Sequence, residues 1–303
     1  MAGVLGGDLR AAMAEVALAQ ERPYYDEEAD QAAAEGYYAD VSLEQLGDLV
    51  RSTHTETPSY KPSLELYPWV DLQPDGTLRS LYTVEVFEPE ELIQADFEVL
   101  QARMTRLMQA TMLGEGDPAT MEAQVAAELP FNCEHVVPQS WFDEDEPMRG
   151  DLHHLFACDS KCNGFRGNTP FTEFSDFPEP PPPGGISAMD VVREDCGKND
   201  SLGFEPAHGK GPAARAVCYF RLRYPDLISA ERMPEDRWDA VATWHEQEPV
   251  TIWELHRNAA IFERQGNRNP FIDHPEWLSD VAPQPPPLAS VTEPSATAAR
   301  WQR

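Results

Sequence analysis

The chain has 303 residues, 41% of them hydrophobic, enough to fill the core of one large domain or two small ones. No run of 18 apolar residues occurs, which excludes a membrane-spanning helix. A formal net charge of −30 argues against a broad basic nucleic-acid surface, because each neutralised phosphate needs a nearby Lys or Arg. The imbalance is concentrated in residues 1–130, with 25 acidic and 7 basic residues, against 28 and 16 in the remainder.

Residues 1–20 read as a weak helix of small residues, without the basic start and continuous apolar stretch of a usual secretory signal. An acidic, Tyr-rich segment follows, and residues 1–35 are expected to be an acidic N-terminal extension. Asp40 or Ser42 can cap a helix whose Leu43, Leu46, Leu49 and Val50 share one face. Residues 53–63 read as a loop. A Pro-Asp-Gly turn within 69–87 predicts a hairpin or a strand approached by a loop. Pro89 opens a long helix to about residue 112, with Ile93, Phe97, Leu100, Met104 and Met108 as its core-facing period. Thr120 opens a second helix that Pro130 ends.

Residues 131–171 hold most of the chemistry. FNCEHVVP predicts a short strand, LHHLFA a second short apolar stretch, and Asp159 or Ser160 the cap of a helix that Gly164 and Gly167 limit to about two turns. Glu134 is a hard oxygen ligand for a divalent ion, and the Asn163 amide supplies a second. Neutral His135 can take a proton from water near neutral pH. Adjacent strand residues point to opposite faces, so the strand must end or bulge at Glu134-His135. His153 and His154 are expected to divide between a packing role and one facing His135.

Downstream, residues 175–188 read as a stiff Pro/Gly-rich loop and residues 191–211 as an irregular segment on the rim of the site. Pro212 and Pro234 open helices, the second with Trp238, Val241 and Trp244 inward. Residues 250–266 carry the clearest helix, with Ile252, Leu255, Ala259 and Phe262 on its inner face and Gly266 as terminator. Residues 283–303 have the composition of a disordered tail.

EHVVPQSWF and DLHHLFACDSKCNGFRGNTPF resemble the two central motifs of the endonuclease I family, within the His-Me finger or ββα-metal superfamily. The likeness continues through GFEPAHGKGPAARAVCYFRLRY and WHEQEPVTIWELHRNAAIFERQGNRNPFIDHP, covering about residues 36–277. It implies an α+β fold: a mainly helical single domain at 36–282, built around a finger at 131–171 with a small antiparallel sheet. It further implies a metal-dependent endonuclease of low sequence specificity that cleaves DNA, and often RNA, to 5′-phosphate ends. By that resemblance His135 is the general base, Glu134 and Asn163 hold Mg²⁺ (or Mn²⁺ or Ca²⁺), and His154 orients the base. Arg166 and Arg149 would meet phosphate, Asn168 would fix the turn after the helix, and NRNPFID would brace the site.

The resemblance also implies a periplasmic or secreted protein, whereas the missing leader signal leaves a cytoplasmic one open. A monomer with no membrane partner is expected. Cys133, Cys158, Cys162 and Cys196 around the finger suggest structural zinc, disulfides or simple buried thiols. The rival functions are a nuclease selective for nucleic-acid structure or dependent on a partner, and an inactive nucleic-acid-binding relative.

Overall fold

The computed structural model describes residues 2–114, 116–175, 192–193 and 195–281. The expected Pro/Gly-rich loop falls largely, and the tail wholly, outside them. Four helices come first: α1 (Ala2–Ala19), α2 (Glu27–Tyr38), α3 (Leu46–Thr53) and α4 (Pro62–Glu65). Ser42 makes a capping box with Gln45 on the short 3-10 turn that runs into α3. The segment read as an extension packs onto the rest of the chain. Ala12, Val16 and Ala19 are buried in a core shared with Leu66, Val70 and Ile93, and Asp30 pairs with buried Arg268 at 2.8 Å.

Strands β1 (Leu78–Arg79) and β2 (Val86–Phe87) pair antiparallel, so the hairpin loop is 80–85 and the Pro-Asp-Gly turn precedes it. Helix α5 (Pro89–Leu113) begins at Pro89 as expected. Its buried residues include Leu92, Ile93, Asp96 and Phe97 near the start, while Met108 is 55% exposed rather than core. Helix α6 (Pro118–Glu128) starts two residues before Thr120 because Asp117 is its cap, accepting from the Thr120 N–H.

The finger is β3 (Cys133–His135), β4 (Leu155–Ala157) and α7 (Ser160–Arg166), a ββα unit with Glu134 opposite Phe156 in antiparallel register. It lies between two cores. Cys133, Leu155 and Ala157 join the core formed with α1, α4 and α5. Phe156, Val136 and Cys162 join the other, which contains the buried face of α8 (Lys210–Arg223) and Val241 and Trp244 of α9 (Glu235–Gln247). The alternation along β4 is the period-2 rule at work on a strand buried on both faces.

The segment expected to be irregular forms a three-stranded antiparallel sheet, β5 (Val192–Arg193), β6 (Gly197–Asn199) and β7 (Phe204–Pro206). Gly197 has φ 123, and a Cβ there would meet the Glu205 carbonyl, so only glycine fits the close pairing.

Helix α10 (Ile252–Gln265) has a Thr251/Glu254 capping box and ends at Gly266 in the left-handed region. Its buried face is polar, however: Glu254, His256, Arg257, Asn258 and Gln265 are buried, whereas Ile252 is 48% exposed. The reason is what the helix packs against. Arg257 pairs with Asp71 and donates to the Leu152 and Leu155 carbonyls at 3.1 and 2.8 Å, and Gln265 Oε1 accepts from Leu152 N–H at 2.7 Å. Irregular backbone needs buried polar partners, and α10 supplies them. Helices α11 (Pro270–Asp273) and α12 (Leu278–Val281) close the described fold.

Candidate active site

Each side chain of the site is placed by a short element with a stated end. Strand β3 ends at His135, the break in the strand that a shared site for two neighbouring residues would need. Asp159 caps α7 by accepting from the Lys161 and Cys162 N–H groups, and Gly167, with φ 57, ends it. Asn163 is therefore held on a seven-residue helix docked against β3. Its amide nitrogen donates to the Cys133 carbonyl at 2.9 Å, and its Oδ1 has no hydrogen-bond partner among the described residues.

Glu134 is 1% exposed. Its Oε1 accepts from Arg166 Nη1 at 2.6 Å and from Tyr82 Oη at 2.7 Å. Among the described residues Oε2 has no hydrogen-bond partner. Burial pushes this carboxyl upward, opposed by the Arg166 guanidinium and the Tyr82 hydroxyl. A cation at Oε2 would act in the same direction as Arg166.

His135 presents Nε2 to the Arg149 carbonyl at 2.9 Å. A carbonyl only accepts, so Nε2 carries the proton and Nδ1 holds the lone pair, with no partner among the described residues. Burial, then the neighbouring His154, holds this imidazole well below the usual histidine range and hence neutral. Tyr60 packs on the ring with centroids 4.6 Å apart.

His154 is the last residue of a 3-10 turn (Leu152–His154) entering β4, not a residue of the strand itself. Its ring stands edge-on to His135 at 5.4 Å between centroids, and its Nε2 donates to the Met148 carbonyl at 2.6 Å. It thus touches His135 by packing and not by a hydrogen bond. His153 turns the other way, against Tyr219, with Nε2 near the Asn267 carbonyl at 3.4 Å.

Arg166 is 1% exposed. Besides Glu134, it donates to the carbonyls of His135 (3.0 Å), Val136 (2.8 Å) and Thr169 (3.1 Å), and it lies over the Phe171 ring. With four of its five N–H groups so used and the side chain buried, Arg166 braces Glu134 and the end of β3. Arg149, by contrast, keeps 34% of its side chain exposed. Its Nε donates to Gln139 at 2.9 Å and its Nη2 lies 3.5 Å from Glu144.

Three functional neighbours were not found by reading the sequence. Tyr82 is carried by the β1–β2 loop, 52 residues from its partner Glu134. Asp151, fully buried, accepts from Tyr219, Tyr224, Gln265 and the His153 N–H. Burial opposes its charge, but His54, His153 and His154 together hold its carboxyl at about 2. Asn199 donates to the Phe165 and Arg166 carbonyls at 2.7 and 3.1 Å, fixing the end of α7 from β6. Only their DLHH neighbour gave a local signal; the others are distant in sequence.

The cysteines resolve unequally. Cys162 and Cys196 form a disulfide with Cα atoms 5.2 Å apart, tying α7 to the β5–β6 turn. Cys133 and Cys158 are buried free thiols, so the four do not form one cluster. Cys162, Asp195 and Cys196 also bring three ligand-type atoms within 4.8 Å and form a candidate metal-binding group by proximity. With the two sulfurs bonded to each other they offer no thiolate, the form that ligates. A hard cation prefers oxygen donors, the type that the Glu134 carboxylate and the Asn163 amide carry.

A sequence model of the family described as Endonuclease I matches residues 44–276. The chain is 31% identical over 169 residues to an extracellular ribonuclease of Bacillus subtilis, covering 50% of this chain and 54% of that protein. It is also 31% identical over 160 residues to an extracellular deoxyribonuclease of Aeromonas hydrophila, covering 46% and 64%. A periplasmic deoxyribonuclease of Aeromonas hydrophila matches at 31% over 160 residues, with 46% and 62% covered. The chain thus spans about half to two thirds of the length of these curated relatives. With its ββα unit and a family match across 44–276, the chain belongs to the Endonuclease I family of the His-Me finger superfamily.

Proposed function

We propose that this chain is a divalent-metal-dependent endonuclease that hydrolyses DNA and RNA phosphodiesters with low sequence specificity, leaving 5′-phosphate ends. The observation that supports the reading is that one ββα unit carries His135, Glu134 and Asn163, whose other polar atoms, Nδ1, Oε2 and Oδ1, have no hydrogen-bond partner among the described residues. His135 takes the proton of the attacking water at Nδ1, with its tautomer fixed by the Arg149 carbonyl. Glu134 and Asn163 would hold Mg²⁺, or Mn²⁺ or Ca²⁺ in its place; when bound, the ion supplies positive charge at the phosphate and the departing 3′-oxygen. Arg166 keeps Glu134 in place. Arg149, the partly exposed cation beside His135, meets a substrate phosphate. Contacts of this kind read the backbone and not the bases, which is why low sequence specificity follows.

Both substrates are supported by relatives whose names specify ribonuclease and deoxyribonuclease. Their extracellular and periplasmic labels, with the Cys162–Cys196 disulfide, support work outside the cytoplasm, where disulfides persist. A second reading, a nuclease selective for particular nucleic-acid structures or dependent on a partner, is favoured by the net charge of −30 and by the acidic run 143–146 beside Arg149. A Mg²⁺-titrated cleavage assay on plasmid, nicked and branched duplex, single-stranded DNA and RNA separates them. Comparable rates on all, abolished by EDTA, fit the first reading; activity confined to nicked or branched DNA fits the second. No cleavage of any substrate with Mg²⁺, Mn²⁺ or Ca²⁺ would remove both.

A further inference from the structure

The two imidazoles of the site hang from one short turn. Residues Met148–Gly150 form a 3-10 turn whose consecutive carbonyls take both ring protons, Met148 from His154 at 2.6 Å and Arg149 from His135 at 2.9 Å. Each bond puts the proton on Nε2 and leaves Nδ1 as the lone-pair nitrogen. A shift of this turn therefore changes the tautomer and direction of both rings together. The turn is held at its last residue: Gly150 is buried, a Cβ there would run into the Pro58 carbonyl, and its N–H donates to Glu146 Oε2 at 2.9 Å. The Arg149 N–H is held by the Asp145 carbonyl at 3.0 Å.

We propose that Glu146 is a positioning residue of the active site, acting through the 148–150 turn to set the tautomers of His135 and His154; its catalytic consequence rests on the reading of His135 as the base. A backbone bond to Asp145 fixes the middle of the turn and the Asp151 N–H closes it on the Met148 carbonyl at 3.3 Å, but the Gly150 N–H, where the chain must sit against Pro58, is held by the Glu146 carboxylate. Without that acceptor the Gly150 N–H is left unpaired in a buried setting, and the turn relaxes toward another partner. The Arg149 carbonyl then moves off His135, and Nδ1 no longer holds the lone pair in every molecule.

The test uses the full chain, uniformly ¹⁵N-labelled, with histidine tautomers read from long-range ¹H–¹⁵N correlation at one fixed pH. In the parent protein both rings show Nε2–H. In Glu146→Ala, His135 becomes a tautomer mixture and kcat falls about tenfold with KM unchanged. Glu146→Gln, which keeps an acceptor for Gly150, retains both tautomers and most of kcat. Should the alanine variant not fold, Glu146→Asp, one methylene too short, carries the same expectation. Parent-like tautomers and kcat in Glu146→Ala or Glu146→Asp overturn the proposal, as does an equal loss in Glu146→Gln. Full cleavage by His135→Ala would remove the base reading alone, since the spectra still decide whether Glu146 sets the tautomers.

Discussion

Replacing Arg166 tests whether this guanidinium serves the substrate or the protein. In Arg166→Met the aliphatic stem is roughly kept, but Glu134 loses its 2.6 Å partner and retains only Tyr82, while the carbonyls of His135, Val136 and Thr169 lose a donor. Removing one member of a buried ion pair costs about 3–5 kcal/mol, because the remaining charge stays buried and uncompensated. For a domain of this size that corresponds to a fall in Tm of roughly 10 °C. Arg166→Lys is expected to be nearly as damaging, since an ammonium cannot span three carbonyls and a carboxylate in the planar fork of arginine. Urea unfolding followed by tryptophan fluorescence gives the stability, and Mn²⁺ titration by calorimetry gives the metal affinity. Both fall together in Arg166→Met. Adding Glu134→Gln recovers part of the stability by removing the orphaned charge, but not the metal affinity, and the double-mutant cycle reports the coupling. Stability within about 1 kcal/mol of the parent and unchanged Mn²⁺ binding, together with lost cleavage, would refute the clamp and return Arg166 to the phosphate.

Tyr82→Phe deletes one hydrogen bond to a charged acceptor and is expected to cost about 2 kcal/mol and to weaken Mn²⁺ binding, both measured as above; no change in either would detach the 80–85 loop from the site. Asp96 is buried, and burial raises its carboxyl to about 6 despite the Asn132 hydrogen bonds and the Tyr67 hydroxyl beside it. The folded state thus binds this proton more tightly than the unfolded chain, so its contribution is fully present below about pH 4 and lost as pH rises through 6. Asp96→Asn is accordingly expected to be more stable than the parent by about 3 kcal/mol at pH 7.5 and nearly equal to it at pH 4; a difference independent of pH contradicts the burial of an ionised Asp96. Replacing Cys162 and Cys196 by alanine opens a cross-link between residues 34 apart and should cost about 4 kcal/mol on the chain-entropy estimate, read by denaturant unfolding. A loss below about 1 kcal/mol would mean that Asn199 and the α7 cap already fix the finger helix.

The local parts of the site were legible in the sequence because their signals are local. A capping Asp159, a terminating Gly167 and short apolar runs on either side of a polar loop are enough to draw strand, strand and helix in order. The supports were not. Tyr82, Arg257 and Asn199 reach the finger from far along the chain, and nothing in their own neighbourhoods marks them. Helix α10 misled in an instructive way: its apolar period suggested the inner face, yet the residues that meet the finger are Arg257 and Gln265, because the finger's broken backbone offers carbonyls and N–H groups rather than methyls, while buried Glu254 and Asn258 pair with Arg215 and Asn269. The residues 191–211 looked irregular for a related reason. Strands of two and three residues are too short to show a period, and pairing, not propensity, makes them a sheet.

The most direct test is single-turnover cleavage of a labelled oligonucleotide by parent and His135→Ala proteins, each shown folded by circular dichroism and each saturated with Mg²⁺. The account predicts that His135→Ala binds Mn²⁺ as the parent does but cleaves at least about 100-fold more slowly, the scale of a lost general base. Parent-like cleavage by the folded, metal-loaded variant would contradict it.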